Sequence, residues 1–155
     1  MTCRLPIAAA LALIAIAAAG CGGKQKVTAA ELVQKGDSIC REEQSKFNEV
    51  QAQPPANASE AANQTDDLVS AAEDANDSLG NLEPPEALQA RYSAYLDARD
   101  RATDQIKKGK DAADNQDSAA YGAAQSAVSA TAPGRQRLAR SLGFKVCSQG
   151  AAGAP

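Results

Sequence analysis

The sequence predicts an all-α fold, an up-down bundle of four helices. Alanine, which has the highest helix propensity, is abundant, whereas β-branched residues are sparse. Apolar residues recur every three or four positions in four stretches, as on one face of an amphipathic helix. Short segments containing proline or polar residues separate these stretches. Helices joined by short loops pack antiparallel to their neighbours, which favours the up-down topology.

The first helix is predicted to begin at Thr28, because Glu31 follows three residues later and completes a capping-box pattern. It is predicted to end near Gln53, since Pro54-Pro55 cannot continue a helix. Its face toward the bundle is formed by Val33, Gly36, Cys40, Phe47 and Val50.

The second helix is predicted to open around Ser59 and Glu60 and to end near Gly80. Pro84-Pro85 is predicted to start the third helix, because proline is accepted in the first turn. The stripe of this third helix is Leu88, Tyr92, Tyr95, Arg99, Ala102 and Ile106. We expect Arg99 to lay its stem along the bundle while its charged head reaches solvent.

The fourth helix is predicted to open at Asp117 or Ser118, after a polar turn. Pro133-Gly134 is expected to kink or break it, and the basic residues from 135 to 142 are expected to complete it. Gly143 suits the position that follows a helix C-terminus.

The N-terminal segment has the features of a secretory signal. Arg4 precedes an apolar run of 16 residues, which is shorter than the roughly 20 needed to cross a membrane. The run ends in small residues at Ala18-Ala19-Gly20, directly before Cys21. This ending resembles the lipobox of bacterial lipoproteins, in which a diacylglycerol with palmitate-type chains is joined to the cysteine. Cleavage before Gly20 with ordinary secretion, and an uncleaved helix, are the alternatives.

These features divide the chain into four parts. Residues 1–20 are the expected signal peptide, 21–27 a lipidated tether, 28–148 the bundle and 149–155 a disordered tail. The expected location is the extracytoplasmic face of the cell membrane, with the membrane itself as a partner through the lipid anchor.

The cysteines predict one disulfide bond. The chain has four, of which Cys3 would leave with the signal and Cys21 would carry lipid. The remaining Cys40 and Cys147 are expected to pair in an oxidising compartment, and two unpaired buried thiols are the alternative. Pairing requires the segment after the fourth helix to fold back over the middle of the first helix. We also expect the first and fourth helices to be antiparallel neighbours.

The mature chain resembles small helical lipoproteins of high-GC Gram-positive bacteria, of actinobacterial type, which have no assigned activity. The resemblance lies in Asp37–Arg41, Pro84-Pro85 and Leu142–Cys147. It implies a fold and a location and gives no mechanism.

The residue inventory argues against catalysis and against a bound metal or cofactor. The chain has no histidine and its only methionine is Met1, so the usual general base and the usual zinc, haem and copper ligands are missing. Asp74–Gly80 only superficially resembles a calcium loop, because its glycine is at the seventh position instead of the sixth. We therefore expect no catalytic residue, no metal site and no cofactor.

Charge is segregated along the chain. Residues 21–155 carry 15 basic and 19 acidic side chains, and this mild net charge of −4 argues against nucleic acid as a partner. Residues 47–90 hold nine acids and no Lys or Arg, whereas no acid follows Asp117. The later basic residues are Arg135, Arg137, Arg140 and Lys145. Either the two segments form complementary helix surfaces, or they form a polarised surface for an envelope protein or a wall polymer.

The sequence thus predicts a lipid-anchored envelope protein with a non-catalytic binding or structural role. One alternative is a module that binds a small ligand or wall polymer, with Tyr92, Tyr95 and Arg99 as candidate contacts. The other is an envelope hydrolase that uses a pair of carboxylates.

Overall fold

The computed structural model describes residues 23–149, which form an up-down bundle of four helices. The helices are α1 (Ala29–Gln51), α2 (Ala58–Gly80), α3 (Glu86–Asp114) and α4 (Ser118–Ser141). The predicted signal peptide, Cys21 and residues 150–155 lie outside the described part. None of the helices between residues 23 and 149 is long and apolar enough to cross a membrane.

Side chains just before three of the helices accept hydrogen bonds from their first turns. The hydroxyl of Thr28 accepts from the backbone N–H of Glu31 at 3.3 Å, and the Glu31 carboxylate accepts from the Thr28 backbone N–H at 2.8 Å. This confirms the predicted capping box. Asn57 caps α2 and Asp117 caps α4 in the same way.

Pro133 does not break α4, which is continuous from Ser118 to Ser141. Proline has no backbone N–H to donate, so the carbonyl of Ser129, four residues earlier, loses its intrahelical hydrogen bond. Thr131 Oγ1 donates to the carbonyl of Ala127 at 3.1 Å, and Arg135 Nη1 lies 3.4 Å from the carbonyl of Val128. The expectation of a break was therefore wrong, and these side-chain hydrogen bonds add to the helix beside the proline.

The C-terminus of α4 is closed by a Schellman motif. Gly143 has φ of 88°, and its N–H donates to the carbonyl of Arg140 at 3.0 Å. The N–H of Phe144 donates to the carbonyl of Ala139 at 3.1 Å. Glycine adopts this left-handed conformation readily because it lacks a Cβ. The prediction for Gly143 is confirmed.

After this turn, the C-terminal segment packs on α1. Phe144 is only 2% exposed, and its ring lies 5.5 Å from that of Tyr95 between centroids. A Cβ at Gly36 would lie 2.5 Å from Phe144 Cε1, so a glycine is needed where the ring meets α1. Cys40 and Cys147 form the predicted disulfide, with their Cα atoms 5.2 Å apart.

Asp37 holds the same segment by its backbone. Its carboxylate accepts hydrogen bonds from three consecutive N–H groups, those of Lys145, Val146 and Cys147, at 2.8 to 3.3 Å. Gln44 Nε2 donates to the carbonyl of Val146 at 3.2 Å. A buried carboxylate that accepts several N–H groups satisfies donors that would otherwise be orphaned. Together with the disulfide, these bonds fasten the C-terminal segment to α1.

The helices pack in chain order, α1 on α2, α2 on α3 and α3 on α4. Helices α1 and α4 make few direct contacts along their lengths, which corrects the expectation that they are close neighbours. The returning segment occupies space beside α1: a Cβ at Gly143 would lie 3.3 Å from Val33 Cγ2.

The last residues of the segment predicted as a tether, 21–27, take part in the fold. Strand β1 (Gln25–Lys26) pairs in parallel with β2 (Leu82–Glu83), which lies between α2 and α3. The N–H of Gln25 donates to the carbonyl of Asn81 at 2.7 Å. Val27 is 8% exposed and joins the core. The folded domain thus starts three residues before the predicted boundary.

Candidate functional site

The candidate ligand contacts Tyr92 and Tyr95 lie in the packed core. Tyr92 is 3% exposed and its hydroxyl donates to the carbonyl of Leu79 at 2.7 Å. Tyr95 is 1% exposed, and its hydroxyl oxygen lies 3.7 Å from Cys40 Sγ. Burial raises the pKa of both tyrosines. Both rings are enclosed by protein, and their contact with a ligand stays a prediction.

Arg99 points into the bundle, contrary to the expectation that its head reaches solvent. Its Nη2 lies 2.8 Å from Glu43 Oε1, and the two side chains are only 11% and 15% exposed. Its Nε donates to Asn76 Oδ1 at 2.6 Å, and its Nη1 donates to the Tyr95 hydroxyl at 3.3 Å. The guanidinium turns inward because these acceptors, on α1, α2 and α3, replace the water that it gives up.

The electrostatics of this cluster follow from burial and the nearby carboxylate. Burial alone would lower the pKa of Arg99, but the charge of Glu43 and the Tyr95 hydroxyl outweigh it, and the pKa of Arg99 is raised. Arg99 therefore stays charged, and truncating Glu43 would leave a buried, unpaired cation. The cluster is a fixed connection between three helices.

The positions of Asp37 and Glu43 in the sequence indicate buried acids, which were not among the predicted site residues. Asp37 lies four residues after Val33 and three before Cys40, on the same face of α1. Glu43 lies three residues after Cys40 and four before Phe47 on that face. An acid on the buried face of a helix needs a partner, although the sequence alone does not name it.

Two acidic residues of α2 pair with cations of α1 and α3. Asp74 Oδ2 lies 3.3 Å from Lys46 Nζ, and Glu73 Oε1 lies 2.6 Å from Lys107 Nζ. Within residues 23–149, no ion pair joins α2 to α4. Among the described residues, therefore, no ion pair supports complementary surfaces formed by the acidic and basic segments.

Four cations, two from α3 and two from α4, line a groove of about 920 Å³ between these helices. Arg101 and Lys108 line it from α3, and Arg135 and Arg137 line it from α4, whereas its single carboxylate is Asp104. The rest of its lining is uncharged and consists largely of small side chains, which leaves room between the helices. Among residues 23–149, none of the four cations lies within 4.0 Å of a carboxylate oxygen. The groove is therefore suited to an anion.

Arg135 is partly buried, whereas the other three cations of the groove are exposed. Its Nη1 donates to Thr131 Oγ1 at 2.7 Å, and the described residues provide it with no carboxylate partner. Burial lowers the pKa of Arg135, as does the positive charge of Arg99, and Glu43 only partly compensates. A guanidinium that has lost part of its hydration, with no counter-ion, would gain a charge-assisted hydrogen bond from a bound anion.

A second, smaller cavity of about 190 Å³ lies at the end of the bundle away from the disulfide. Its lining has no charged residue, and its apolar side chains are Phe47, Leu68, Ile106, Tyr121 and Val128. Gly109 and Ala124 approach closely beside it, since a Cβ at Gly109 would lie 3.6 Å from that of Ala124. The cavity is an apolar space beside the contact between small residues of α3 and α4.

No arrangement of three or more His, Cys, Asp or Glu side chains suited to a metal ion occurs between residues 23 and 149. Comparison with family models, with curated proteins and with solved structures gave no significant match. The function proposed below therefore rests on the geometry and on side-chain chemistry.

Proposed function

We propose that this chain is a lipid-anchored extracytoplasmic protein with a non-catalytic binding role at the cell envelope. The observation that carries the proposal is the Cys40–Cys147 disulfide, because disulfides persist mainly in oxidising compartments. The lipobox-like residues before Cys21 agree with this location, because such residues direct export and precede the cysteine that carries the lipid. Both features belong to proteins that act outside the cytoplasm.

The folded domain lies close to the proposed anchor. Gln25, the first residue of β1, follows Cys21 by four positions, which span at most about 14 Å. The end of the bundle that contains β1 and β2 therefore lies near the membrane surface. Helix α1 is about 35 Å long, so the apolar cavity at the opposite end lies farther from the anchor.

Binding is the role that the charges of the bundle support best. Lys46 and Lys107, which face α2, are in ion pairs, whereas the four cations along the groove between α3 and α4 form none among residues 23–149. A polarised surface of this kind favours encounter with an oppositely charged partner. This favours the envelope-partner interpretation of the segregated charges over complementary surfaces within the bundle.

Replacing the proposed lipid-attachment residue tests the anchor. With Cys21→Ser, we expect the protein to leave the membrane fraction or to accumulate as unprocessed precursor, because the acyl chains provide the stable anchoring. Cys3→Ser is the matched control, since it makes the same substitution within the expected signal. For both variants, membrane fractionation measures retention and intact mass measures processing. A Cys21→Ser protein that is processed and retained like wild type would contradict the proposal.

A further inference from the structure

We propose that the groove between α3 and α4 binds a flexible linear polyanion, a polymer that carries phosphate or carboxylate groups along its length. This inference deepens the proposed binding role and rests on it for the envelope setting. The first support is charge, because four cations and a single carboxylate line one groove. The folded chain leaves all four without an ion pair among the described residues.

The cations are distributed along the length of the groove. Arg101 and Lys108 are seven residues apart on α3, so they share a face and are separated by about 10 Å along the helix axis. Arg135 and Arg137 line the groove from α4. A single small anion would reach only part of this set, whereas a chain with several charged groups is able to meet cations from both helices.

The shape of the groove favours a polymer over a membrane surface. The α3 residues that line it run from Ala98 to Lys108, a length of about 15 Å. The groove is concave, with small residues such as Ala127 and Gly134 in its lining. A thin chain enters such a groove, whereas a flat bilayer would reach only its exposed rim.

Arginine is suited to the proposed ligand. Its guanidinium forms paired hydrogen bonds with the oxygens of phosphate and carboxylate groups. Arg135 is half-buried and forms no ion pair among the described residues, so a bound anion would add the counter-charge that Glu43 supplies only in part. Asp104 is the one groove residue that opposes binding, because its negative charge repels the ligand.

The test uses the full-length protein purified from whole-cell extract in a non-ionic detergent. Fluorescently labelled inorganic polyphosphate and poly-glutamate are the probes, and anisotropy measures binding at low and at physiological salt. We expect saturable binding of at least one probe that weakens as salt rises. The stronger probe identifies phosphate or carboxylate as the preferred group. Binding of neither probe at low salt would overturn the proposal.

Charge-reversal variants locate the site. Lys108→Glu with Arg137→Glu is expected to lower affinity about tenfold or more, which corresponds to about 1.4 kcal/mol. Lys24→Glu with Arg41→Glu is the matched control, because it changes the net charge equally at exposed positions outside the groove. The control is expected to change affinity less than threefold. Equal losses in the two proteins would show attraction by overall charge and would overturn the proposed site.

Asp104→Asn provides a second variant, in which binding should improve. Removing the only carboxylate of the groove is expected to raise affinity about two- to fivefold, without the loss of folding that could mimic weaker binding. Unchanged or weaker binding by this variant would count against the groove.

Two competing partners give different results. An anionic lipid added to the detergent micelles that displaces the bound probe, where the same amount of a neutral lipid does not, would assign the groove to lipid and overturn the polymer proposal. Salt-sensitive self-association in sedimentation that is lost in Lys108→Glu with Arg137→Glu would assign the groove to the acidic residues of a second copy. It would also overturn the polymer proposal. Because binding is measured in detergent, it is independent of the Cys21→Ser fractionation that tests anchoring.

Discussion

Helices α2 and α4 are nearly equal in length, at 23 and 24 residues, but they are buried to different extents. Helix α2 packs between α1 and α3 and buries seven residues, whereas α4 packs closely only on α3 and buries two. The buried residues of α2 are Ala62, Thr65, Val69, Ala71, Ala72, Ala75 and Leu79, and those of α4 are Ala124 and Ala139.

The two helices also differ in the ion pairing of their charged residues. Glu73 and Asp74 of α2 are paired with lysines of neighbouring helices. Helix α4 contains no acid, and its exposed Arg137 and Arg140 have no ion pair among the described residues. The comparison teaches that the bundle divides its tasks. The interior helix supplies packing and has two of its six acids in ion pairs, whereas the edge helix presents arginines that form no ion pair among the described residues.

The disulfide carries the largest expected effect, because it holds the segment that follows α4 against α1. Reducing the Cys40–Cys147 bond, which closes a loop of 107 residues, is expected to lower the free energy of unfolding by about 2–5 kcal/mol. Thermal unfolding with and without reductant measures the change, and non-reducing peptide mapping verifies the crosslink. An unchanged melting temperature after complete reduction would show that α4 is held by its other contacts alone.

Leucine-to-alanine changes compare the packing of the two helices directly. Leu79 of α2 is fully buried, so Leu79→Ala is expected to cost about 3 kcal/mol. Leu138 of α4 is half-buried, and Leu138→Ala is expected to cost about 1 kcal/mol. Urea unfolding measures both, with each variant the control for the other. Equal costs would remove the distinction between the interior and the edge helix.

Tyr92 connects the end of α2 to α3 and gives that contact a pH dependence. Its pKa is raised above the unfolded value of about 10 by burial, so its contribution to stability is complete below that pH and is lost as the pH rises above it. Tyr92→Phe is expected to cost about 1 kcal/mol at pH 7, through the lost hydrogen bond to Leu79, and to lessen the loss of stability above pH 10.

Tyr121→Phe on α4 is the matched control for this change, because Tyr121 lies half-buried beside the apolar cavity. Urea unfolding at pH 7 and at a pH near 11 separates the two variants. The same alkaline loss in Tyr92→Phe as in wild type would show that Tyr92 does not carry the dependence.

Reversing charges on the edge helix has the smallest expected effect on stability. Arg137→Glu with Arg140→Glu is expected to change the free energy of unfolding by no more than about 0.5 kcal/mol, since neither cation is paired among residues 23–149. Glu73→Lys with Asp74→Lys on α2 breaks two exposed pairs and is expected to cost about 1 kcal/mol. A larger cost on α4 than on α2 would reverse the comparison of their charges.

The sequence by itself determined the local features of the fold. The capping box at Thr28, the start of α4 at Asp117 and the glycine turn at Gly143 each depend on hydrogen bonds between residues at most five apart. Such bonds form within one helical turn, so the chain need not find its tertiary neighbours first. The Cys40–Cys147 pairing was predictable for another reason, since the expected signal and anchor account for the other two cysteines.

Only the tertiary structure decided which polar side chains meet. Asp37 binds backbone groups more than 100 residues away, and Glu43 meets Arg99 across a sequence separation of 56. The periodicity placed Arg99 and Glu43 on the inner faces of their helices, but it carried no information on how the faces meet. The small Gly36 lets Phe144 pack against α1, and the returning segment occupies space beside that helix. Helix α4 is left at the edge, and its arginines form no ion pair among the described residues. Such partners depend on contacts between distant segments, whose geometry exists only once the helices have packed.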